Sequence, residues 1–442
     1  MAMAQTTNSG IVKHGIHASG AQRRVNRDGS KNSFWKGRGY LTWFASDSAS
    51  TAGSTMPNFA IPLVAFALSR SVVTAGWVTT LMRIVQQGAN LFGGTFIDRH
   101  DRKRLIIINC TVGTILWGSI LVLLLIDRLT FGVFLVIVLC WSFSSGFLGG
   151  SADALLRSII NIRDYPKARS ITEGRDATIN LAGSSIGGAF YAIAAWLPFL
   201  VATALYAIAG ITASQIKTST TIARRHIKRK TEGMPFVTDF IQGWKYVLSS
   251  RLLVTLTIAT ALLNCGMNGI QYAIQLHLVG THTNSALIGF TGTATCIGLM
   301  AGSFIANRLS DRIPVGTGIC LSIMLAAVTC LPLTVNDSYT LILACSAVIG
   351  LPFPLFNAMC FGFVFAKTPD ALQGRVKSAM SVGVQALSMF SSAIAGTLLS
   401  HFAFITVSRI FILILIIAAT LVFSSRRIRD IPAAEKWDGL QL

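Results

Sequence analysis

Gly94-Thr95-Phe96-Ile97-Asp98-Arg99-His100-Asp101-Arg102-Lys103-Arg104 closes one long apolar run, and Gly302-Ser303-Phe304-Ile305-Ala306-Asn307-Arg308-Leu309-Ser310-Asp311-Arg312 closes another. The glycines that open the two stretches, at 94 and 302, are 208 residues apart. A second echo pairs Pro166-Lys167-Ala168-Arg169 with Pro369, Gly374 and Arg375, at an offset of 203 to 206. Self-similarity at a fixed offset points to a chain built from two homologous halves. In membranes such duplicated halves characterise secondary transporters, with the substrate site where they meet near the bilayer midplane.

The rest of the chain agrees with a membrane reading. It has 442 residues, 52% of them hydrophobic and only 12% charged, against about 25% charged in soluble proteins. A helix needs about 20 mostly apolar residues to cross a bilayer. Apolar runs of that order lie at 40–68, 74–97, 105–126, 129–150, 177–196 and 198–216, then at 252–276, 286–307, 315–333, 339–365, 376–399 and 402–423. The expected fold is therefore all-α and integral to the membrane, twelve transmembrane helices in two pseudo-symmetric six-helix halves. Its parts are a disordered basic tail over 1–39, a first half over 40–216, a linker over 217–251, a second half over 252–425 and a tail over 426–442. A soluble enzyme and a secreted disulfide scaffold do not fit. The basic start lacks the apolar core of a signal peptide.

Charge sets the orientation. All but four of the 37 Lys and Arg (Arg70, Arg83, Arg128 and Arg409 are the exceptions) fall in the tails or in loops on one side. By the positive-inside rule that side is cytoplasmic, with both termini. The net charge of +20 is thus a topology signal, with no nucleic acid as a partner. In the linker, Arg224-Arg225-His226-Ile227-Lys228-Arg229-Lys230 precedes Phe236, Phe240, Trp244 and Val247 at helical spacing. That pattern predicts an amphipathic helix on an anionic inner leaflet. The eight cysteines all fall in the apolar runs without CxxC spacing, which predicts small buried hydrophobes and no metal site.

The segment Gly94…Asp98-Arg99…Arg102-Lys103-Arg104 resembles the loop 2–3 signature of the major facilitator superfamily. Within it the chain is similar to the drug:proton antiporter branch that holds macrolide-efflux proteins and the enterobactin exporter. The supporting residues are Ala60-Ile61-Pro62-Leu63 with Ser69 to Gly76, Asp98-Arg99-His100-Asp101-Arg102, and Thr368-Pro369-Asp370-Ala371-Leu372-Gln373-Gly374-Arg375-Val376. The branch's span 5 motif, Gly-Pro-x-x-Gly-Gly, is matched by Gly183-Ser184-Ser185-Ile186-Gly187-Gly188 without the proline. The resemblance implies alternating access, a monomer in a bacterial inner membrane, and a cytoplasmic gate made by Gly94, Asp98, Arg99 and Arg102 with Gly374 and Arg375 at the start of span 11. A helix N-terminus favours a nearby carboxylate, which suits Asp98.

Polar residues inside the runs are candidates for mechanism. Asp47 is the one acid well within a run, on a face it shares with Ser50, Thr51, Ser54 and Asn58, so it is a candidate proton carrier or a structural hydrogen-bonding group. Arg83 lies mid-span with Gln86, Gln87 and Asn90 at three, four and seven residues. It is a second candidate for proton coupling or substrate handling, or else a group that binds backbone carbonyls between helices. Asp47 is its most plausible counter-ion, offset by roughly 10 Å along the membrane normal. Asn264, Asn268, Gln271 and Gln275 recur at steps of four, three and four, with Tyr272 beside them. Four amides on one stripe of an apolar helix face a cavity or another helix. Gly350, Pro352 and Pro354 interrupt span 10 ahead of Asn357, where freed carbonyls can line a pathway.

These residues predict a secondary transporter that exports amphipathic small molecules, coupled to protons, with no cofactor and no metal. A uniporter or importer of a small metabolite, and a non-transporting receptor on a transporter scaffold, are the alternatives. No covalent chemistry is expected, because the loops lack a concentrated set of acid, base and nucleophile residues.

Overall fold

The computed structural model describes residues 38–160, 165–216, 236–310, 312–369 and 372–432. The basic cluster at 224–230 and most of both tails lie outside the described residues.

Among the described residues, twelve spans run through the bundle. The first half holds span 1 (Arg38–Ser69), span 2 (Val72–Arg99), span 3 (Arg102–Leu125), span 4 (Phe131–Leu148, continued by Ser151–Ile159), span 5 (Tyr165–Ile193) and span 6 (Leu197–Ser214). The second holds span 7 (Arg251–Gly280), span 8 (Ser285–Leu309), span 9 (Val315–Cys330), span 10 (Tyr339–Ile349 and Pro352–Lys367), span 11 (Gln373–Ser388 and Ser391–His401) and span 12 (Phe404–Ser424). Ten are long and apolar enough to cross a bilayer on composition alone. The other two, spans 2 and 5, interrupt their apolar stretches with polar and charged residues that face protein and cavity, such as Arg83, Gln86 and Gln87 on span 2 and Arg175 on span 5.

Span 5 starts at Tyr165, twelve residues before the run that announces it. Arg169, Glu173, Arg175 and Asp176 read as loop, yet they are helical and pair among themselves and their neighbours. Charges neutralised in this way do not stop a helix that packs against protein. The break predicted in span 10 is present, between Ile349 and Pro352. Span 11 is also interrupted, at Met389 and Phe390.

Outward apolar faces run along several spans, among them 3, 6, 9 and 12. Ile108, Ile115 and Val122 are exposed on span 3 at steps of seven; so are Ile208 and Ile211 on span 6, Met324 and Val328 on span 9, and Leu413 and Ile417 on span 12. In water this would be an aggregation surface; in lipid it is the surface that the tails cover. The first half is anchored by an aromatic cluster of Trp117, Trp141, Phe199 and Tyr206. Seven of the eight cysteines are buried or half-buried as expected, while Cys140 is exposed on the outer face of span 4.

Apolar packing gains little between helices already in lipid, so close backbone approach at small residues takes over. The halves meet at two such seams. A Cβ on Gly188 of span 5 would lie 2.4 Å from the Ser285 carbonyl of span 8, and one on Gly76 of span 2 would lie 2.5 Å from the Ser392 carbonyl of span 11. Both seams lie toward the end of the bundle away from Arg38 and Pro432, the first and last described residues. Span 2 corresponds to span 8 and span 5 to span 11, so the seams exchange under the pseudo-two-fold.

The linker helix, Phe236–Ser249, packs on span 11. Val247 is buried, the Trp244 ring lies against Gly383, and Gly243 abuts the Arg375 backbone. Ile241 and Leu248 remain exposed. Its amphipathic pattern therefore serves the protein with one face and leaves the other outward.

Candidate functional site

Three cavities form a series through the bundle. The largest, about 890 Å³, is lined by Arg83, Gln86 and Gln87 of span 2 and by spans 7, 10 and 11 of the second half. It extends to Thr368, Gln373 and Lys377, at the end of the bundle that carries Arg38, Pro432 and the basic Asp98–Arg104 turn. A second, about 140 Å³, adjoins it through Arg83, Gln86 and Tyr272 and adds Asn58, Thr79 and Gln275. A third, about 160 Å³, shares Ser54 and Ser145 with the second and reaches Asp47 within the first half.

Of the residues expected at the substrate site, Gln86, Gln87, Asn264, Asn268, Tyr272 and Asn357 line the largest cavity, and Asn58 and Gln275 the adjoining one. Asn90 and Gln271 are exposed and line none of the three. Asn264 and Asn268 each donate an amide N–H to the carbonyl one turn earlier on span 7, at 3.0 and 2.8 Å. Their remaining amide capacity faces the cavity. Phe353, Phe361 and Phe365 supply an apolar wall.

Asp47 does not pair with Arg83. Arg175 Nη2 lies 2.6 Å from both Asp47 Oδ2 and Asp176 Oδ1, and Arg175 Nη1 donates to Ser48 Oγ at 3.1 Å. The guanidinium also lies over the Phe44 ring. Side-chain exposure is only 10% for Arg175 and 18% for Asp47. The correction has a geometric reason: span 1 packs directly on span 5, and the earlier start of span 5 brings Arg175 to the depth of Asp47. One guanidinium thus faces two carboxylates, and with all three ionised the cluster carries one net negative charge. Arg175 precedes the apolar run at 177–196 and so escapes a reading by hydropathy; an acid within span 1 in want of a cation on a neighbouring helix is the available cue.

At the signature loop, Asp98 pairs with Arg102 at 3.7 Å, and Arg99 is exposed at the end of span 2. Arg102 Nη1 donates to the Ala154 carbonyl at 2.7 Å and Lys103 Nζ to the Ile216 carbonyl at 2.8 Å. The signature's cations thereby tie span 3 to the last segment of span 4 and to the chain just past span 6, where the Ile216 carbonyl has no helical partner. Asp101 caps span 3, accepting from Lys103 N–H. Gly94 has nothing within 4 Å of a notional Cβ. Gly374 lies in the first turn of span 11, and Arg375 donates to Gln242 of the linker helix. Among the described residues no group of His, Cys, Asp and Glu could hold a metal ion.

A family profile described as Major Facilitator Superfamily matches residues 44–282 and 256–439. The chain belongs to the major facilitator superfamily. This major facilitator protein is accordingly a multi-pass membrane transporter of small molecules, not an enzyme. Its sequence is 20% identical over 368 residues to Multidrug resistance protein 2 of Bacillus subtilis (strain 168), covering 80% of this chain and 87% of that one. It is 22% identical over 284 residues to the uncharacterized MFS-type transporter YfmI of the same organism, covering 62% and 68%. Among solved structures it resembles the nucleoside transporter NupG, at a TM-score of 0.64 and 13% identity over 88% of this chain and 98% of that one. A bacterial homologue of the iron transporter ferroportin in an inward-facing state matches at 0.63 and 13%, over 87% and 97%. At such identities these two likenesses establish the fold.

Proposed function

We propose that this transporter exports amphipathic small molecules from the cytoplasm, driven by protons moving inward, as a monomer in the inner membrane of a bacterium. The observation that carries the reading is the cavity of about 890 Å³ reaching the basic end of the bundle, the cytoplasmic end by the positive-inside rule. It is the conformation in which an exporter loads. Its aromatic wall and amide stripe suit a ligand with one apolar and one polar side. The relative named Multidrug resistance protein 2 supports the same class of cargo.

Alternating access then requires the glycine seams to part and the basic end to close. Closure brings Asp98, Arg99 and Arg102 toward Gly374 and Arg375, with the linker helix already seated on Arg375. The proton is carried by Asp47. With one net negative charge, its cluster accepts one proton without becoming a buried cation, and protonated Asp47 releases Arg175 to Asp176 alone. A proton crossing about 100 mV releases about 2.3 kcal/mol, enough for a roughly fifty-fold gradient of a neutral substrate.

Efflux of preloaded amphiphiles from cells tests this. Wild type should clear them, a protonophore should stop it, and Asp47→Asn should reduce the protonophore-sensitive rate at least tenfold. Efflux that survives the protonophore would mean a uniporter. A normal Asp47→Asn rate would remove Asp47 from coupling.

A further inference from the structure

We infer that the central cavity selects anionic amphiphiles, with Arg83 as the residue that seats the anionic head. The inference rests on the reading of this cavity as the substrate site and names the class of substrate that it takes.

Charge in the cavity is one-sided. Arg83 and Lys377 both line it, and among the described residues no Asp or Glu does. Neither cation makes an ion pair or a side-chain hydrogen bond with the described residues, and both are exposed to the cavity space. The acid nearest along the series of cavities is Asp47, and it is committed to Arg175 at 2.6 Å. Arg83 therefore sits at mid-span with no counter-ion among the described residues, and an intramembrane arginine in that position is costly. A cavity walled by apolar groups and lined by one sign of charge concentrates ions of the other sign. A cationic amphiphile entering it meets two like charges and no partner.

The surroundings of Arg83 fit an anionic head. A guanidinium offers a planar fork of N–H donors that matches a carboxylate, sulfonate or phosphate. Gln86 and Gln87 are on the same span, one turn on, and Tyr272 shares both cavities with Arg83. These provide further donors for the same oxygens. Phe361 and Phe365 line the cavity on the opposite half, where the apolar body would lie. Lys377, toward the basic end, acts earlier, as a second positive group on the way in.

The test uses the full chain, purified and reconstituted in nanodiscs, with calorimetric titration of a matched naphthyl series. Its members are naphthylacetate, naphthalene sulfonate and naphthyl phosphate as anions, naphthylmethylammonium as the cation and naphthylmethanol as the neutral control. The expected result is that at least one anion binds tenfold or more tighter than the alcohol, and that the ammonium binds more weakly than the alcohol. Comparing the three anions identifies which head group fits. Arg83→Gln should lower anion affinity tenfold or more and alcohol affinity less than twofold, with Arg83→Lys restoring part of the preference. Lys377→Gln, which does not depend on Arg83→Gln folding, should lower anion affinity by about threefold. Equal or tighter binding of the cation overturns the inference, as does an anion preference that survives Arg83→Gln, or no binding of any anion at millimolar concentration. Because binding is read without transport, anion selectivity in a protein that moves nothing would sink the exporter reading alone. Efflux of cations or neutrals without charge preference would sink this inference alone.

Discussion

The two halves are built to one plan but handle charge differently. The offset of 208 that aligns Gly94 with Gly302 places Thr255 where span 1 has Asp47, and Thr291 where span 2 has Arg83. The offset of 203 to 206 between spans 5 and 11 places Ser378 to Ser381 where span 5 has Arg175. Every one of these second-half equivalents is uncharged. What repeats is the packing: small-residue seams and a polar signature at the basic end. What does not repeat is the set of ionisable residues deep within the spans, Asp47, Arg83 and Arg175, which belongs to the first half, while the second half supplies most of the cavity wall and, at its basic end, Lys377. The symmetric features suit a rocking frame, and the asymmetric ones suit coupling and recognition.

The strongest way to break that contrast is to remove the guanidinium. Arg175→Met leaves Asp47 and Asp176 facing each other with no cation between spans 1 and 5. Truncating one partner of a buried pair costs about 3 kcal/mol. Unfolding of the purified protein in detergent should record a loss of that order, whereas Ser381→Met, at the equivalent place in span 11, should change stability by less than about 0.5 kcal/mol. Similar losses in both variants would mean that the charge asymmetry carries no structural weight.

The seams come next. Gly188→Leu puts a side chain where the Ser285 carbonyl would lie 2.4 Å from its Cβ, and overpacking of this kind costs about 2 kcal/mol. Because the strain falls on one conformation of the halves, it should shift the population and not merely destabilise. A cysteine introduced at Ser285 should react several-fold faster with a membrane-impermeant thiol reagent in the Gly188→Leu background than in wild type. Unchanged labelling would show that the span 5–span 8 contact is not what closes that side.

Most of this frame was legible from hydropathy, since lipid demands long apolar runs and leaves few alternatives. The span 10 break followed from Gly350 and Pro352, a glycine of low helix propensity followed by a proline that has no N–H to donate to the preceding turn. Where charge entered a helix, hydropathy misled: Arg169 to Asp176 look like loop because a lone charge would end a span, and only the three-dimensional partners explain why these do not. The Asp47–Arg175 pair joins residues 128 apart, so its identity depends on which spans touch and at what depth. The amide stripe of span 7 was readable as a period, but which of its members reach the cavity was not, as Gln271 shows.

The finest test separates the seam from the helices beside it, using two buried threonines. Thr80 on span 2 accepts a hydrogen bond from the Ala393 N–H at 3.0 Å, across the halves and at the interrupted start of the second segment of span 11. That N–H belongs to the first turn of a helix segment and has no carbonyl of its own to bond. Thr291 on span 8 donates to the Ile288 carbonyl of its own helix, a bond that adds little to a helix already formed. Thr80→Val should therefore cost about 1.5 kcal/mol, the penalty of a buried donor left unpaired. Thr291→Val, the same chemical change at a similarly buried site, should cost less than about 0.5 kcal/mol. A double-mutant comparison with Gly188→Leu sharpens the point: if Thr80→Val acts on the closed seam, its cost should shrink once Gly188→Leu has already opened the bundle on that side. Additive losses would instead place the two seams in independent units, and the halves would not rock as single bodies.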